Sequence, residues 1–149
     1  EYAARRYAAS IPPGRQALQM NPRMSRVRAA IGDAMVMLGR FAEARTEYQA
    51  EPAHGFGLAG LAVVEHKLGQ SGAAHKAYDE MLQTEGERML YQQAQVLAQW
   101  GQTDAAMKCL QRALVHGDSG LVYARNDPFL DPLRGDPRLA QLLSSMGFA

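Results

Sequence analysis

The sequence predicts an all-α protein, built as a right-handed solenoid of antiparallel helix pairs with a C-terminal helical cap. The main observation is a repeat in which a glycine is followed five residues later by an alanine, each time between two apolar helical stretches. The pairs are Gly39 and Ala44, Gly69 and Ala74, and Gly101 and Ala106. Because the glycines are 30 and 32 residues apart, the spacing indicates stacked helical hairpins that share a continuous core.

Each predicted hairpin repeats one pattern of small and large residues. Seven positions before the glycine stand Gly32, Ala62 and Ala94, and nine positions after it stand Tyr48, Tyr78 and Leu110. Small residues at these positions allow two helices to cross closely. The glycine can adopt the left-handed conformation that ends the first helix, and the large residue would fill the gap between hairpins.

The repeats predict how the chain is divided. Pro12-Pro13-Gly14 should break a helix, whereas residues 16–22 look like the tail of an earlier repeat. The predicted segments are a partial or degenerate N-terminal repeat (1–24), three repeats (25–54, 55–86 and 87–118) and the helical cap (119–149). The chain begins at Glu1 rather than at a Met, so we expect a piece of a longer protein.

The predicted cap contains three Asp-Pro pairs, which begin at Asp127, Asp131 and Asp136. Asp is a favourable N-cap and Pro is well tolerated at the first helical position, so each pair is expected to start a short helix. Phe129, Leu130 and Leu133 should plug the open end of the third hairpin. A final helix with an apolar side should follow and end at Gly147; that side comprises Leu139, Leu142, Leu143 and Met146.

The repeat resembles the tetratricopeptide repeat family over residues 23–118. The resemblance rests on the small residues at the helix crossing, the Leu-Gly before the turn, Phe41-Ala42-Glu43-Ala44 and the late aromatic residue. The family period is about 34 residues, whereas the glycine spacings here are 30 and 32. A deletion of about four residues removes one helical turn, which can shorten the second helix of a pair without rotating the next helix badly out of phase. The run 117–138 is similar to the ends of bacterial arrays that follow DNA-binding, adenylate-cyclase or protein-kinase domains, which implies a regulatory or signalling parent protein.

The resemblance implies that the first helix of each pair lines a concave groove. The helical periodicity then predicts its peptide-binding residues: Arg26, Asp33 and Met37; Phe56, Val63, His66 and Lys67; and Arg88, Tyr91, Gln92, Gln95 and Gln99. Long polar side chains beside an aromatic ring can hydrogen-bond an extended peptide. The family's carboxylate clamp is not expected, because Ala29, Ala59 and Tyr91 replace some of its cations.

The expected function is therefore a non-enzymatic protein-protein interaction module for a peptide or protein segment. The alternative is a ligand-sensing regulatory domain of a larger bacterial signalling protein or transcriptional regulator. Self-association through the ends of the array is also open. The discriminating observation is whether a signalling domain precedes this segment in the full-length reading frame.

Other functional classes have little support in the sequence. The four histidines have no partner at metal-ligand spacing, and the glycines form no nucleotide-binding loop, so neither metal, cofactor nor enzymatic activity is expected. Gly57 and Gly60 are instead expected to permit close helix packing. Sixteen Lys and Arg against fifteen Asp and Glu give too balanced a charge for nucleic-acid binding. No run approaches the roughly 18 apolar residues of a membrane span, so no membrane binding by this segment is expected. A cytoplasmic location is expected, or a periplasmic one if the parent chain is membrane-anchored.

Overall fold

The computed structural model describes residues 2 and 4–148. Across this part of the chain the fold is all-helical. The α-helices are α1 (Tyr7–Met20), α2 (Val27–Met37), α3 (Phe41–Gln49), α4 (His54–Lys67), α5 (Ser71–Thr84), α6 (Leu90–Gln99), α7 (Thr103–His116) and α8 (Pro137–Ser145). Short 3-10 helices span Gly86–Met89, Ser119–Tyr123 and Pro128–Leu133. The chain divides into two compact units, unit 1 (Glu1–Thr84) and unit 2 (Glu85–Ala149).

The three repeat glycines end the first helix of each pair, as predicted. Gly39, Gly69 and Gly101 have φ values of +74°, +75° and +77°, the left-handed region that a residue without a Cβ adopts most easily. After the first glycine, the Arg40 N–H donates to the Met35 carbonyl at 2.8 Å. This hydrogen bond satisfies a carbonyl at the end of α2 and turns the chain back into α3.

In unit 1, Tyr48 of α3 packs where α2 and α4 approach it. The close approach requires glycine, because a Cβ on Gly60 would lie 2.1 Å from Tyr48 Cε1 and one on Gly32 would lie 2.7 Å from it. A Cβ on Gly57 would lie 2.7 Å from the Tyr48 carbonyl oxygen. The expected close packing at Gly57 and Gly60 is confirmed, and Ala44 and Ala74 are fully buried in the same unit.

The prediction that Pro12-Pro13-Gly14 breaks a helix is wrong, because α1 runs through all three residues. The prolines remove the hydrogen bonds to the carbonyls of Ala8 and Ala9. Both alanines are exposed, so water can hydrogen-bond to these two carbonyl oxygens instead. Packing holds the helix together: a Cβ on Gly14 would lie 2.9 Å from Ile31 Cγ1 of α2.

In unit 2, the hairpin of α6 and α7 is covered by the predicted cap. Helix Pro128–Leu133 packs on α6 and α8 packs on α7, and Phe129, Leu130 and Leu133 are buried as expected. The side chains of Asp127 and Asp136 accept N-cap hydrogen bonds from Phe129 N and Arg138 N at 2.9 Å each. α8 is followed by Gly147 at φ +82°, which confirms the predicted stop.

The second Asp-Pro pair does not start a helix. Asp131 and Pro132 lie inside the 3-10 helix Pro128–Leu133, since the helix that begins at Pro128 continues through them. The Asp131 carboxylate instead pairs with Arg134, whose Nε lies 3.4 Å from Oδ1. Asp118, which the sequence analysis did not identify, provides the remaining cap by accepting a hydrogen bond from Gly120 N at 2.8 Å.

Candidate peptide-binding faces

Four predicted groove residues of unit 1 form what we call the α2–α4 face: Arg26, Asp33, Met37 and Phe56. Helices α2 and α4 pack against each other, and all four side chains keep partial or full exposure. The guanidinium carbon of Arg26 lies 4.3 Å from the centroid of the Phe56 ring, within the range of a cation–π interaction. The structure thus brings Arg26 and Phe56, which the repeat pattern placed in separate repeats, into contact.

A buried carboxylate fixes the backbone at this face. Glu51, with only 6% of its surface exposed, accepts hydrogen bonds from Arg26 N at 2.7 Å, Ala29 N at 2.9 Å and Ala53 N at 2.8 Å. It therefore satisfies N–H groups at the start of α2 that no local side chain caps. The sequence gives little sign of this role, because a helix cap normally comes from the residue at the helix start.

Asp33 is part of the same face and also supports the core. The Tyr48 hydroxyl donates to Asp33 Oδ1 at 2.7 Å. Burial, together with the nearby Asp33 charge, holds the pKa of Tyr48 well above its ordinary value, so the hydroxyl keeps the proton that it donates. Asp33 is thereby held in a fixed orientation beside the exposed part of the α2–α4 face.

The other predicted residues of α4 differ in accessibility. Val63 is 2% exposed, so its predicted place on an accessible groove wall is wrong; the periodicity identified the side of the helix but not what covers it. His66 and Lys67 lie exposed at the C-terminal end of α4.

Three predicted residues of unit 2 form the α6 face: Tyr91, Gln95 and Gln99. The Tyr91 hydroxyl and Gln95 Nε2 donate to Asp127 Oδ2 at 2.6 and 2.7 Å. Gln99 Nε2 donates to the backbone carbonyl of Phe129 at 2.8 Å. The α6 face is therefore occupied by the chain's own segment 127–133.

This occupation corrects the expectation that the aromatic residue of the third repeat lies on an exposed wall. Tyr91 is 2% exposed, and the cap also holds it from a second direction. Asp118 Oδ2 accepts a hydrogen bond from Tyr91 N at 3.0 Å, and a Cβ on Gly120 would lie 2.6 Å from the Tyr91 ring. The predicted polar residues and the aromatic ring of α6 therefore pack against a segment of the same chain instead of lining an open groove.

The carboxylate held on the α6 face has an unusual environment. Asp127 is 7% exposed, and burial raises its pKa above the ordinary value although hydrogen bonds from Tyr91, Phe129 N and Gln95 oppose that change. Burial and the Asp127 charge likewise raise the pKa of Tyr91. The buried carboxylate is tolerated because three donors replace its lost water.

The two remaining predicted residues lie at the edge of this arrangement. Arg88 is exposed and its Nη2 lies 3.2 Å from Glu85 Oε2, whereas Gln92 is half-buried. An open surface pocket of about 370 Å³ is lined by Glu87, Arg88, His116, Asp118 and Ser119. Its walls carry both signs of charge, so they do not define one class of ligand.

The described residues contain no group of three or more His, Cys, Asp or Glu side chains that could hold a metal ion. Burial raises the pKa of the Cys109 thiol, so its reactive thiolate is disfavoured. None of the helices described is both long and apolar enough to cross a lipid bilayer. Searches against protein-family models, curated proteins and solved structures gave no significant match, so the two faces carry the functional proposal.

Proposed function

We propose that the chain is a non-enzymatic protein-protein interaction module of tetratricopeptide type, which binds an extended peptide or protein segment along the first helices of the two pairs in unit 1, α2 and α4. The observation that carries this proposal is the segment 127–133 on the α6 face. It supports the idea that such a helix face in this chain is suited to holding a peptide.

The contacts on the α6 face have the character of peptide recognition. Gln99 binds a backbone carbonyl, a group that every peptide offers, while Tyr91 and Gln95 bind a side-chain carboxylate. Phe129 of the bound segment is 3% exposed. The segment itself is a 3-10 helix over Pro128–Leu133, and a hydrogen bond to its backbone together with a buried aromatic anchor is a common way to hold a short segment.

The α2–α4 face has accessible residues at two of the positions that hold the segment on α6. Asp33 stands at the repeat position of Gln95, six residues before the glycine, and Met37 stands at the position of Gln99. Half-buried Met37 and Phe56 offer apolar contact, and Arg26 and Asp33 offer polar contact. An aromatic ring in contact with a cation on a partly exposed helix face favours a binding site over a plain solvated surface.

A peptide selection tests the proposal. Random nonapeptides displayed on phage are selected against the immobilised 149-residue chain, and the selected sequences are synthesised and titrated by calorimetry. We expect Met37→Ala with Phe56→Ala to weaken binding at least tenfold, because anchors of this kind usually contribute most of the affinity.

Lys76→Ala, on the exposed surface of α5, serves as the matched control and should leave binding unchanged. Circular dichroism establishes that both variants are folded. Selection of no peptide above background, or binding that is indifferent to Met37 and Phe56, would contradict the proposed function.

A further inference from the structure

Arg26 differs from the other arginines of the first hairpin in how its charge is used. Arg28 Nη1 pairs with Glu47 at 3.2 Å, Arg45 Nη2 with Glu65 at 2.6 Å and Arg40 Nη2 with Glu43 at 2.6 Å. The Arg26 side chain makes no hydrogen bond or ion pair with any described residue; its only specific contact is with the Phe56 ring. Its guanidinium N–H groups are therefore available to a partner.

The backbone at Arg26 is held in a conformation that places the side chain across the face. Its φ is +70°, in the left-handed region that disfavours residues with a Cβ, and Glu51 anchors it through the Arg26 N–H at 2.7 Å. The side chain reaches from the start of α2 to the Phe56 ring on α4. Contact with the ring limits its freedom, so less entropy is lost when the fork of N–H donors binds a ligand.

The charges around Arg26 leave this position open for an anion. Glu51, which accepts the Arg26 N–H, is buried and its oxygens accept three backbone N–H groups. Asp33 lies about two helical turns further along α2 and accepts the Tyr48 hydroxyl. Arg23 and Arg28 are the closest charged residues in sequence on either side of Arg26, and both are cationic.

We infer that Arg26, stacked on Phe56, binds a carboxylate of the peptide held on the α2–α4 face, so that the ligand is an acidic segment. The inference rests on the proposed function and names the chemical class of its ligand. A guanidinium matches a carboxylate in planar, two-point hydrogen bonding. On the α6 face the carboxylate of Asp127 is held by Tyr91 and Gln95. Their positions on the α2–α4 face are taken by Ala29 and the acidic Asp33, so a carboxylate there binds through Arg26 instead.

The peptides selected against the whole chain provide the probe. We expect the selected sequences to be enriched in Asp and Glu, and one acidic position should dominate. Replacing that residue by its amide should weaken binding at least tenfold, as should Arg26→Gln. Because both changes remove the same contact, combining them should weaken binding no further than either change alone.

Two further variants separate binding from folding. Arg26→Gly suits the left-handed backbone and should fold at least as stably while losing the same affinity. Arg23→Gln changes a neighbouring exposed arginine and should leave affinity nearly unchanged.

The inference is overturned if the peptides bind through Phe56 and Met37 but lack an essential acid and tolerate Arg26→Gly. That outcome leaves the proposed function standing. Insensitivity to Phe56 and Met37 would instead remove the proposed function and the inference together.

Discussion

At the residue scale, the distinctive feature is the use of single acidic side chains to join elements far apart in sequence. Glu47 of α3 pairs with Arg15 of α1 at 2.5 Å and with Arg28 of α2 at 3.2 Å. Glu51 holds the start of α2, and Asp127 joins the cap to α6. Each carboxylate is buried, so losing its partners would leave a desolvated charge, a far larger penalty than losing a surface ion pair.

Glycine packing leads to a first prediction. Gly60→Ala should lower the free energy of unfolding by about 1–3 kcal/mol, because the new Cβ would lie 2.1 Å from Tyr48 Cε1. Gly72→Ala is the matched control: it lies in α5 with no atom within 4 Å of the added Cβ, and alanine favours a helix. Urea denaturation measures both variants, and equal stability for the two would contradict the packing described for Tyr48.

A second prediction concerns Asp127. Asp127→Ala should destabilise the protein by about 1–3 kcal/mol, because it removes an N-cap and leaves the buried Tyr91 hydroxyl without its acceptor. Asp127→Asn should cost less, since the amide oxygen can still accept from Phe129 N. Thermal unfolding at neutral pH gives the ranking, and an Asn variant as unstable as the Ala variant would contradict this assignment.

Asp127 also leads to a predicted pH dependence of the free energy of unfolding. Burial raises the pKa of Asp127, so the folded protein holds this proton more tightly than the unfolded chain does. The resulting stabilisation is complete below the ordinary Asp pKa of about 3.9 and is lost as the pH rises through the raised value. The stability of the wild type relative to Asp127→Asn should therefore fall over this window. A difference that stays constant with pH, measured by urea denaturation, would show that burial does not control this carboxyl.

At the element scale, the unit of construction is a helix pair closed by a left-handed glycine. In all three pairs, the residue after the glycine donates its N–H to a carbonyl near the end of the first helix: Arg40 to Met35, Gln70 to Glu65 and Gln102 to Leu97, at 2.8 to 2.9 Å. The alanine five residues beyond each glycine is fully buried. The turn and the crossing are thus fixed by local residues that recur in the sequence.

The close crossing leads to a third prediction. Ala74→Leu should destabilise the protein by about 1–3 kcal/mol, because a larger side chain forces strain into a packed crossing. Ala73→Leu changes the neighbouring exposed residue of α5 and should leave stability within about 0.5 kcal/mol. Chemical denaturation compares the two, and similar values for both would contradict the assignment of Ala74 to the crossing.

Features that depend on residues close together in the chain could be predicted from the sequence, and features that depend on packing between distant residues could not. The turns at Gly39, Gly69 and Gly101 and the stop at Gly147 depend on residues close in the chain, and those predictions are confirmed. The continuity of α1 through Pro12 and Pro13 depends on packing against Ile31, which no local pattern reveals. The prediction that Asp131 starts a helix is wrong because Asp131 lies inside the helix that begins at Pro128.

For the candidate site, the helical periodicity predicted which side of the helix the residues share, but it did not predict which segment of the chain packs over that side. Tyr91, Gln95 and Gln99 do point to one face, yet their partners lie about thirty residues away, at Asp127 and Phe129. The contact of Arg26 with Phe56 joins two repeats in the same way. Such pairings depend on how helices pack, which a single sequence does not specify.

At the scale of the whole molecule, the core of each unit is covered by a different kind of element. Unit 1 places α1 against α2, and unit 2 places the segment 127–133 against α6. Unit 1 consequently keeps the partly exposed α2–α4 face, whereas the equivalent positions of α6 are already filled. If the proposed function holds, external binding belongs mainly to unit 1 and structural closure to unit 2.

This division predicts the effect of removing the cap. Deleting residues 126–149 would take away Phe129, Leu130 and Leu133, which are buried, and would expose the α6 face with the Tyr91 hydroxyl unpaired. An uncapped end of stacked helices exposes apolar surface that promotes association. We therefore expect lower thermal stability together with light scattering that rises with protein concentration.

Phe129→Ala is the graded control for this deletion. It removes one buried ring from the cap and keeps the Asp127 hydrogen bonds and the Phe129 carbonyl in place, so it should destabilise by about 3–5 kcal/mol with less association than the truncated chain. Light scattering and circular dichroism follow both proteins. A truncated chain that stays monomeric and as stable as the intact one would mean that 127–133 is an appended tail; its place on the α6 face would then no longer support peptide binding.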